Sequence, residues 1–411
     1  MRQLAGTKTR YRRAYAAPLA EFISDRVEYR ISVRTKHNHM TSIPSHNTTR
    51  IVTFGEIMAR MAPAGMLRLR QVLPGSLDVT FAGAEANVAA SLALLGCRAA
   101  FVTALPDGPL TDGCLGSLRS VGVGVDHIRI TDCGRFGIYF VEMGANQRPS
   151  RVFYDREYSA ISLAKSNDFD WDTILDGASW LHLTGITPAL SKTAAETTLH
   201  AAQSARERGV AVSCDVNFRS KLWRWDLNRA PQKLAGDVLG ELIPLVDLLM
   251  ASEEDFRLVG VPVPDEVRNP AASTVIDTDR AAMMARRMAA VFPNLRMIAT
   301  TLRESISASH NNWGAMLLDV QSDTVYQAPL RNGCYQPYEI RSIVDRVGSG
   351  DAFDAGLLFG LTHTEFTLQT ALEFATAAAC LAHSIVGDCN FASREEIEDL
   401  MNGARSGRVV R

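Results

Sequence analysis

The densest chemistry in the sequence lies in the run Asp345-Arg346-Val347-Gly348-Ser349-Gly350-Asp351-Ala352-Phe353. Two glycines one residue apart let a backbone turn tightly and approach a ligand closely. The residues that follow, as far as Leu361, are rich in Ala, Phe, Gly and Leu and read as a buried helix. The turn therefore offers the unpaired N–H groups of a helix start, which is where an anion binds. A carboxylate in such a turn can be a plain helix cap. Beside a bound phosphate it can also take the proton of an attacking hydroxyl, as phosphoryl transfer requires. On this reading Asp351 is the general base, while Gly348, Ser349 and Gly350 supply donors to the transferring group. Neither GxxxxGK[ST] nor GxGxxG occurs in the chain, so P-loop and dinucleotide readings lack their main support.

Such a turn needs a framework. The 411 residues, 46% hydrophobic and 21% charged, are enough for one large α/β domain with an appendage. The net charge of −2 gives no reason to expect nucleic acid or an anionic membrane as a partner. Residues 1–50 stand apart, with ten Lys/Arg against three Asp/Glu and no regular apolar period. They read as a basic, disordered extension. An organellar targeting segment and a natural start at Met40 stay open, although Glu21, Asp25 and Glu28 weigh against targeting. Residues 404–411 read as a tail. No signal-peptide core or bilayer-length apolar run is visible. The seven cysteines are scattered without CxxC pairs. That is the usage of reduced thiols in a cytoplasmic protein, and it offers no zinc site.

From residue 51 to 403 the pattern is that of one domain. Ile51–Phe54, Ala100–Ala104, Trp180–Leu183, Val210–Asp215, Leu245–Ala251 and Met297–Thr301 read as buried strands. Between them lie helical stretches at Ala84–Leu95, Lys192–Arg208 and Asp279–Phe292. This alternation predicts an α/β fold with a mainly parallel central sheet covered on both faces. Residues 60–81 and 129–158 instead show short period-two runs, such as Ile138–Glu142 and Arg151–Tyr154. They predict a small antiparallel sheet, either a substrate flap or ordinary edge hairpins. Pro262–Asp277 reads as a surface loop.

With Asp345–Phe353 and Ala82-Gly83-Ala84-Glu85-Ala86-Asn87-Val88-Ala89 both in view, the sequence resembles the ribokinase-like (PfkB) carbohydrate kinases. Their carboxy-terminal signature, Asp-Thr-x-Gly-Ala-Gly-Asp-x-Phe, is matched with Arg346 and Ser349 as departures. Their Gly-Gly-x-x-x-Asn-x-Ala stretch is matched with Ala82 in place of the first glycine. The resemblance spans roughly residues 50–400. It implies a three-layer domain with a small β lid, ATP and Mg²⁺ as cofactors, a small sugar as acceptor, and a homodimer through the lid. It also implies that Gly83 and Asn87 line the sugar site.

Finer features look like the 2-keto-3-deoxygluconate kinases of that family. Tyr139, Tyr154 and Arg156 stand where those enzymes read a keto-acid sugar, and Asp388 where they place a carboxylate near it. Arginine suits the role because its planar fork pairs with a carboxylate through two bonds. In Asp215-Val216-Asn217-Phe218-Arg219, the resemblance places Asn217 and Arg219 near the nucleotide phosphates, Arg219 also near the acceptor. Ser252 to Asp255 occupy the place of an Asn-x-x-Glu magnesium motif, which makes Asp255 the candidate metal residue. The usual Thr-x-Gly-x-x-Gly nucleotide loop becomes Thr301–Gly314, with Thr301 and Arg303 as its candidate contacts. Two alternatives stay open: a kinase for fructose, ribose or another neutral sugar, and a catalytically silent binding protein on the same fold.

Overall fold

Runs such as Ile51–Phe54 are apolar on both faces, so they can be buried only in a sheet with helices on each side. The computed structural model describes residues 49–261 and 277–403. Most of the expected extension, most of the expected 262–277 loop and the tail lie outside the described residues, and Arg50, expected to close the extension, opens the first strand. The strands are β1 (Arg50–Phe54), β2 (Met58–Ala62), β3 (Asp78–Ala82), β4 (Arg98–Pro106), β5 (Ile128–Thr131), β6 (Gly137–Glu142), β7 (Arg151–Asp155) and β8 (Ala178–Thr184). They continue with β9 (Ala211–Asp215), β10 (Leu248–Met250), β11 (Met297–Ser307), β12 (His310–Asp319), β13 (Thr324–Ala328), β14 (Leu330–Arg331), β15 (Cys334–Tyr335) and β16 (Tyr338–Ile340).

The central sheet runs β13-β12-β11-β10-β9-β8-β1-β4-β5, with β16 pairing to β12. All pairs from β5 to β11 are parallel, while β12 is antiparallel to β11, β13 and β16. Alternate residues of β1 point to opposite sides: Val52 and Phe54 join one core, Ile51 the other. The first core is roofed by the helices Lys192–Glu207, Pro231–Leu242 and Thr278–Val291. The second is roofed by Ala84–Leu94, Pro109–Ser120, Ser349–Thr362 and Leu368–Ala382. The expected α/β three-layer domain is what forms. Phe359 and Phe374, both fully buried, stack at 4.9 Å between centroids and fasten two of these helices. Each such ring contributes on the order of 1.5–3 kcal/mol by burial.

The small sheet has the order β3-β2-β6-β7 and differs from expectation in two respects. It is mixed, because β2 pairs with β6 in parallel while β2–β3 and β6–β7 are antiparallel. The strand β5 lies inside the span expected for the lid, yet it pairs with β4 as the edge of the central sheet. An edge strand is half-exposed, so its residue pattern resembles that of a lid strand. One face of the small sheet buries Arg60, Tyr139 and Val141. The opposite face carries Val79 and Phe153, both exposed.

The Thr301–Gly314 segment, expected as a rewritten loop, is instead the paired part of a long hairpin. Thr301 sits opposite Ala315, Arg303 opposite Trp313, and Ser307 opposite His310. Leu302 and Trp313 are buried in cores on opposite sides of the sheet, while Ile306 and the polar residues at the hairpin tip are exposed or half-exposed.

Candidate active site

The C-terminal ends of the parallel strands open into one cavity of about 780 Å³. This is the usual ligand position in a parallel α/β sheet. Every residue singled out in the sequence lines it: Gly83, Asn87, Tyr139, Tyr154, Arg156, Asn217, Arg219, Ser252, Asp255, Thr301, Arg303, Gly348, Ser349, Gly350, Asp351 and Asp388.

At the floor of the cavity, the helix Ser349–Thr362 starts from Gly348 at φ +84. That conformation favours glycine, and a Cβ there would also collide with the backbone carbonyl oxygen of Asp388. The preceding turn is held by Asp345, whose Oδ1 accepts from Val347 N at 3.1 Å. The first N–H groups of the helix have no acceptor within it and point toward the cavity end of its dipole. Asp351, in the first turn, accepts from Asn87 Nδ2 at 2.7 Å. Asn87 in turn accepts from Gly83 N at 3.2 Å. The two separated motifs are thus one structure, and their helices pack on each other.

Burial pushes the Asp351 carboxyl up to about 6; Asn87 opposes the shift, Asp388 adds to it, and Arg219 opposes it. An oxygen base near neutrality is matched to taking a hydroxyl proton. Glu85, two residues before Asn87, was not singled out. It is buried beneath the site, accepts from Thr184 Oγ1 at 2.7 Å and Thr187 Oγ1 at 2.9 Å, and is pushed up to about 7 by burial. Its position between Gly83 and Asn87 was the available signal.

The side under the small sheet is aromatic and ionic. Tyr139 donates to Asp388 Oδ2 at 2.6 Å. Arg156 ion-pairs with Glu56, lies over the Tyr154 ring at 5.2 Å, and keeps its Nε without a hydrogen-bond partner. Glu56 was missed, although it follows β1 directly at the edge where ligands bind. Arg60 was missed as well; it ion-pairs with both Asp345 and Asp388.

The far side carries Arg219, Arg303 and Arg346. Arg303 is held below the ordinary arginine value by burial, then by Arg346 and Arg219. Crowded like charges of this kind suit a polyanion. In the same cavity Asp215, Asp255 and Asp354 are held above the usual carboxylate range, first by burial and also by neighbouring carboxylates. Asp354 Oδ2 is buried with no partner. Among the described residues no three His, Cys, Asp or Glu side chains form a ready-made metal cage. Asp255, the candidate metal residue, lines the cavity, and its Oδ2 accepts from Ser252 N at 2.7 Å and Ser252 Oγ at 2.6 Å. The donor set fits Mg²⁺ held mainly by phosphate oxygens and water, a common state for that ion.

A helix start facing the cavity, a buried carboxylate in its first turn and a small sheet over the same cavity are the arrangement of a phosphotransferase acting on an alcohol group. The chain belongs to the pfkB family of carbohydrate kinases, whose model matches residues 48–278. It is 34% identical over 360 residues to the 2-dehydro-3-deoxygalactonokinase of Haloferax volcanii, covering 88% of this chain and 99% of that one. It is 24% identical to the 2-dehydro-3-deoxygluconokinase of Bacillus subtilis, covering 86% and 96%. The crystal structure of 2-dehydro-3-deoxygluconokinase from Thermotoga maritima superposes with a TM-score of 0.77 at 43% identity, covering 86% of this chain and all of that one. Among the described residues no helix is long and apolar enough to cross a membrane.

Proposed function

We propose that this sugar kinase transfers the γ-phosphate of ATP to the terminal hydroxyl of a 2-keto-3-deoxy sugar acid of the gluconate type, in the cytoplasm. The observation that carries this reading is the bond from Asn87 to Asp351, which places an acceptor-side amide and a candidate base at one helix-start anion site. Asp351 takes the hydroxyl proton as the oxygen attacks. The N–H groups of Gly348, Ser349 and Gly350 face the charge that develops on the transferring group. Arg219, Arg303 and the neighbouring Asn217, Ser252 and Thr301 hold the nucleotide phosphates. Asp255 and Asp215 would hold magnesium, which would supply neutralisation of phosphate charge.

The keto-acid preference rests on Arg156. Its guanidinium lies over the Tyr154 ring, in the cavity that Tyr139 and Asp388 also line. A sugar acid brings a carboxylate to pair with it, whereas fructose and ribose bring none. The names of the relatives above agree with this choice. The apolar outer face of the small sheet, with Val79 and Phe153 exposed, supports a homodimer through the lid.

The experiment is a coupled ADP-release assay on purified protein with ketodeoxygluconate, ketodeoxygalactonate, fructose, ribose and gluconate. Highest kcat/KM for a keto-deoxy acid is expected. Preference for a neutral sugar would reduce the claim to a sugar kinase, and no turnover of any acceptor would favour the silent binding protein.

A further inference from the structure

Arg60 lies mid-strand in β2, in the small sheet, yet it is among the most deeply buried charges in the molecule at 3% exposure. Its register explains why. Met58 and Arg60 share the face that looks into the cavity side, while Ala59 and Met61 face away with Ile138 and Phe140 of β6. The guanidinium reaches two different loops: Nη2 meets Asp345 and Nη1 meets Asp388. Asp345 is the residue that shapes the anion turn, through Val347 N. Its Oδ2 also accepts from Gly387 N at 3.2 Å, which ties that turn to the loop carrying Asp388. Tyr139, on the neighbouring strand, holds the other oxygen of Asp388.

We propose that Arg60 is a positioning residue that fastens the small sheet to both loops of the catalytic floor and fixes the Asp388 carboxylate for the acceptor. One planar fork can serve two carboxylates at fixed angles, which a single ammonium cannot. Both carboxylates are buried, at 1% and 9% exposure, so neither finds water in place of the guanidinium. Loss of the fork therefore frees Asp388 to swing and unties the lid strand. Acceptor binding depends on that tie through Asp388, while Arg303 on the nucleotide side is perturbed by burial and by Arg346, Arg219 and Glu254, and not by Asp345 or Asp388. The proposal rests on the functional reading above only in taking Asp388 as an acceptor-side group.

The test compares wild type with Arg60→Met and Arg60→Lys in steady-state kinetics, using ketodeoxygluconate and ATP, and in hydrogen–deuterium exchange. Arg60→Met is expected to raise the acceptor KM at least tenfold and to leave the ATP KM within twofold. Amides in Met58–Ala62, together with those of Val347 and Gly387, are expected to exchange at least tenfold faster. Arg60→Lys should recover part of both effects. An unchanged acceptor KM with unchanged exchange overturns the proposal, as does an equal rise in both KM values, which would mark general damage. Should Arg60→Met fail to fold, Arg60→Lys decides alone, and wild-type behaviour in it overturns the proposal. If the wild type turns over no keto acid, the acceptor assignment falls while the exchange measurement still decides the role of Arg60.

Discussion

Asn87 Nδ2 donates to Asp351 Oδ2 at 2.7 Å, joining residues 264 positions apart in the chain. The bond occupies one oxygen of the carboxylate and, in the proposed reaction, leaves the other for the acceptor hydroxyl. Asn87 is itself fixed by Gly83 N, and a Cβ at Gly83 would strike the backbone carbonyl oxygen of Glu56. The start of one helix is thereby packed against the end of β1 and aimed at the start of another.

Asp351→Asn is expected to lower kcat by about two or more orders of magnitude, because the amide accepts no proton. The same change should raise the melting temperature at pH 7.5. Burial raises the Asp351 pKa to about 6 in the folded chain. The folded state thus holds the proton more tightly than the unfolded one, and stability falls as pH rises from the ordinary carboxylate value through about 6. At neutral pH the ionised group is a liability that asparagine removes. A variant that keeps wild-type turnover, or that melts several degrees lower, would contradict the assignment.

The pH profile carries the same signature. With Asp351 acting as a base, kcat/KM should rise with pH and level off above about 6. Asn87 stabilises the ionised form, so Asn87→Ala should move this acid limb to higher pH. Profiles measured between pH 5 and 8 decide it, and an unmoved limb would remove Asn87 from control of the base.

Arg156→Gln should raise KM for ketodeoxygluconate about ten- to a hundredfold, the equivalent of roughly 1.5–3 kcal/mol for a charge-assisted pair. The ATP KM should hardly change. The Glu56 partner adds a second effect: the variant leaves a buried carboxylate without its counter-charge. That costs stability on the order of 3–5 kcal/mol. Glu56→Gln combined with Arg156→Gln should recover much of the melting temperature without restoring KM. If the double variant regains affinity, Arg156 serves Glu56 and not the substrate.

Gly348→Ala should be damaging out of proportion to its size. The left-handed φ costs an alanine about 1–2 kcal/mol, and the collision with the Asp388 carbonyl pushes apart the two loops of the floor. Purified variant should show a lower melting temperature and a kcat reduced at least tenfold. Wild-type kinetics would mean that the anion turn tolerates displacement.

The sequence made legible what is written in contiguous runs. The glycine turn before Asp351, the Gly83–Asn87 pair and the buried parallel strands all announce themselves by local composition. What it concealed depends on partners. Arg60 reads as an ordinary charged position in a period-two strand, and only the pairing of β2 with β6 shows which face it occupies. Glu56 and Arg156 lie 100 residues apart and define each other's role only in space. Residues 301–314 have the composition of a loop because the tip of that hairpin is exposed, and pairing across β11 and β12 decided their shape.

Arg303 gives the sharpest test of the nucleotide side. It belongs to β11, opposite Trp313, and its charge is opposed by burial and by Arg346 and Arg219. Three guanidiniums lining one side of a cavity repel one another until an anion enters, so binding a polyphosphate relieves a strain present in the empty protein. Arg346 is spoken for structurally, donating to Ser307 O and Ala308 O at 3.0 Å. That leaves Arg219 and Arg303, and Arg219 is also assigned near the acceptor, so Arg303 is the member whose removal should report on the nucleotide alone. Arg303→Ala is expected to raise the ATP KM about tenfold, on the order of the 1.5 kcal/mol of a hydrogen bond to a charged group. The acceptor KM should stay within twofold. The salt dependence of the ATP KM should flatten, because one phosphate contact is gone. Isothermal titration of a non-hydrolysable ATP analogue, at low and high salt, separates binding from turnover. An acceptor KM that rises while analogue affinity holds would move Arg303 to the sugar side and reverse the assignment of the two walls.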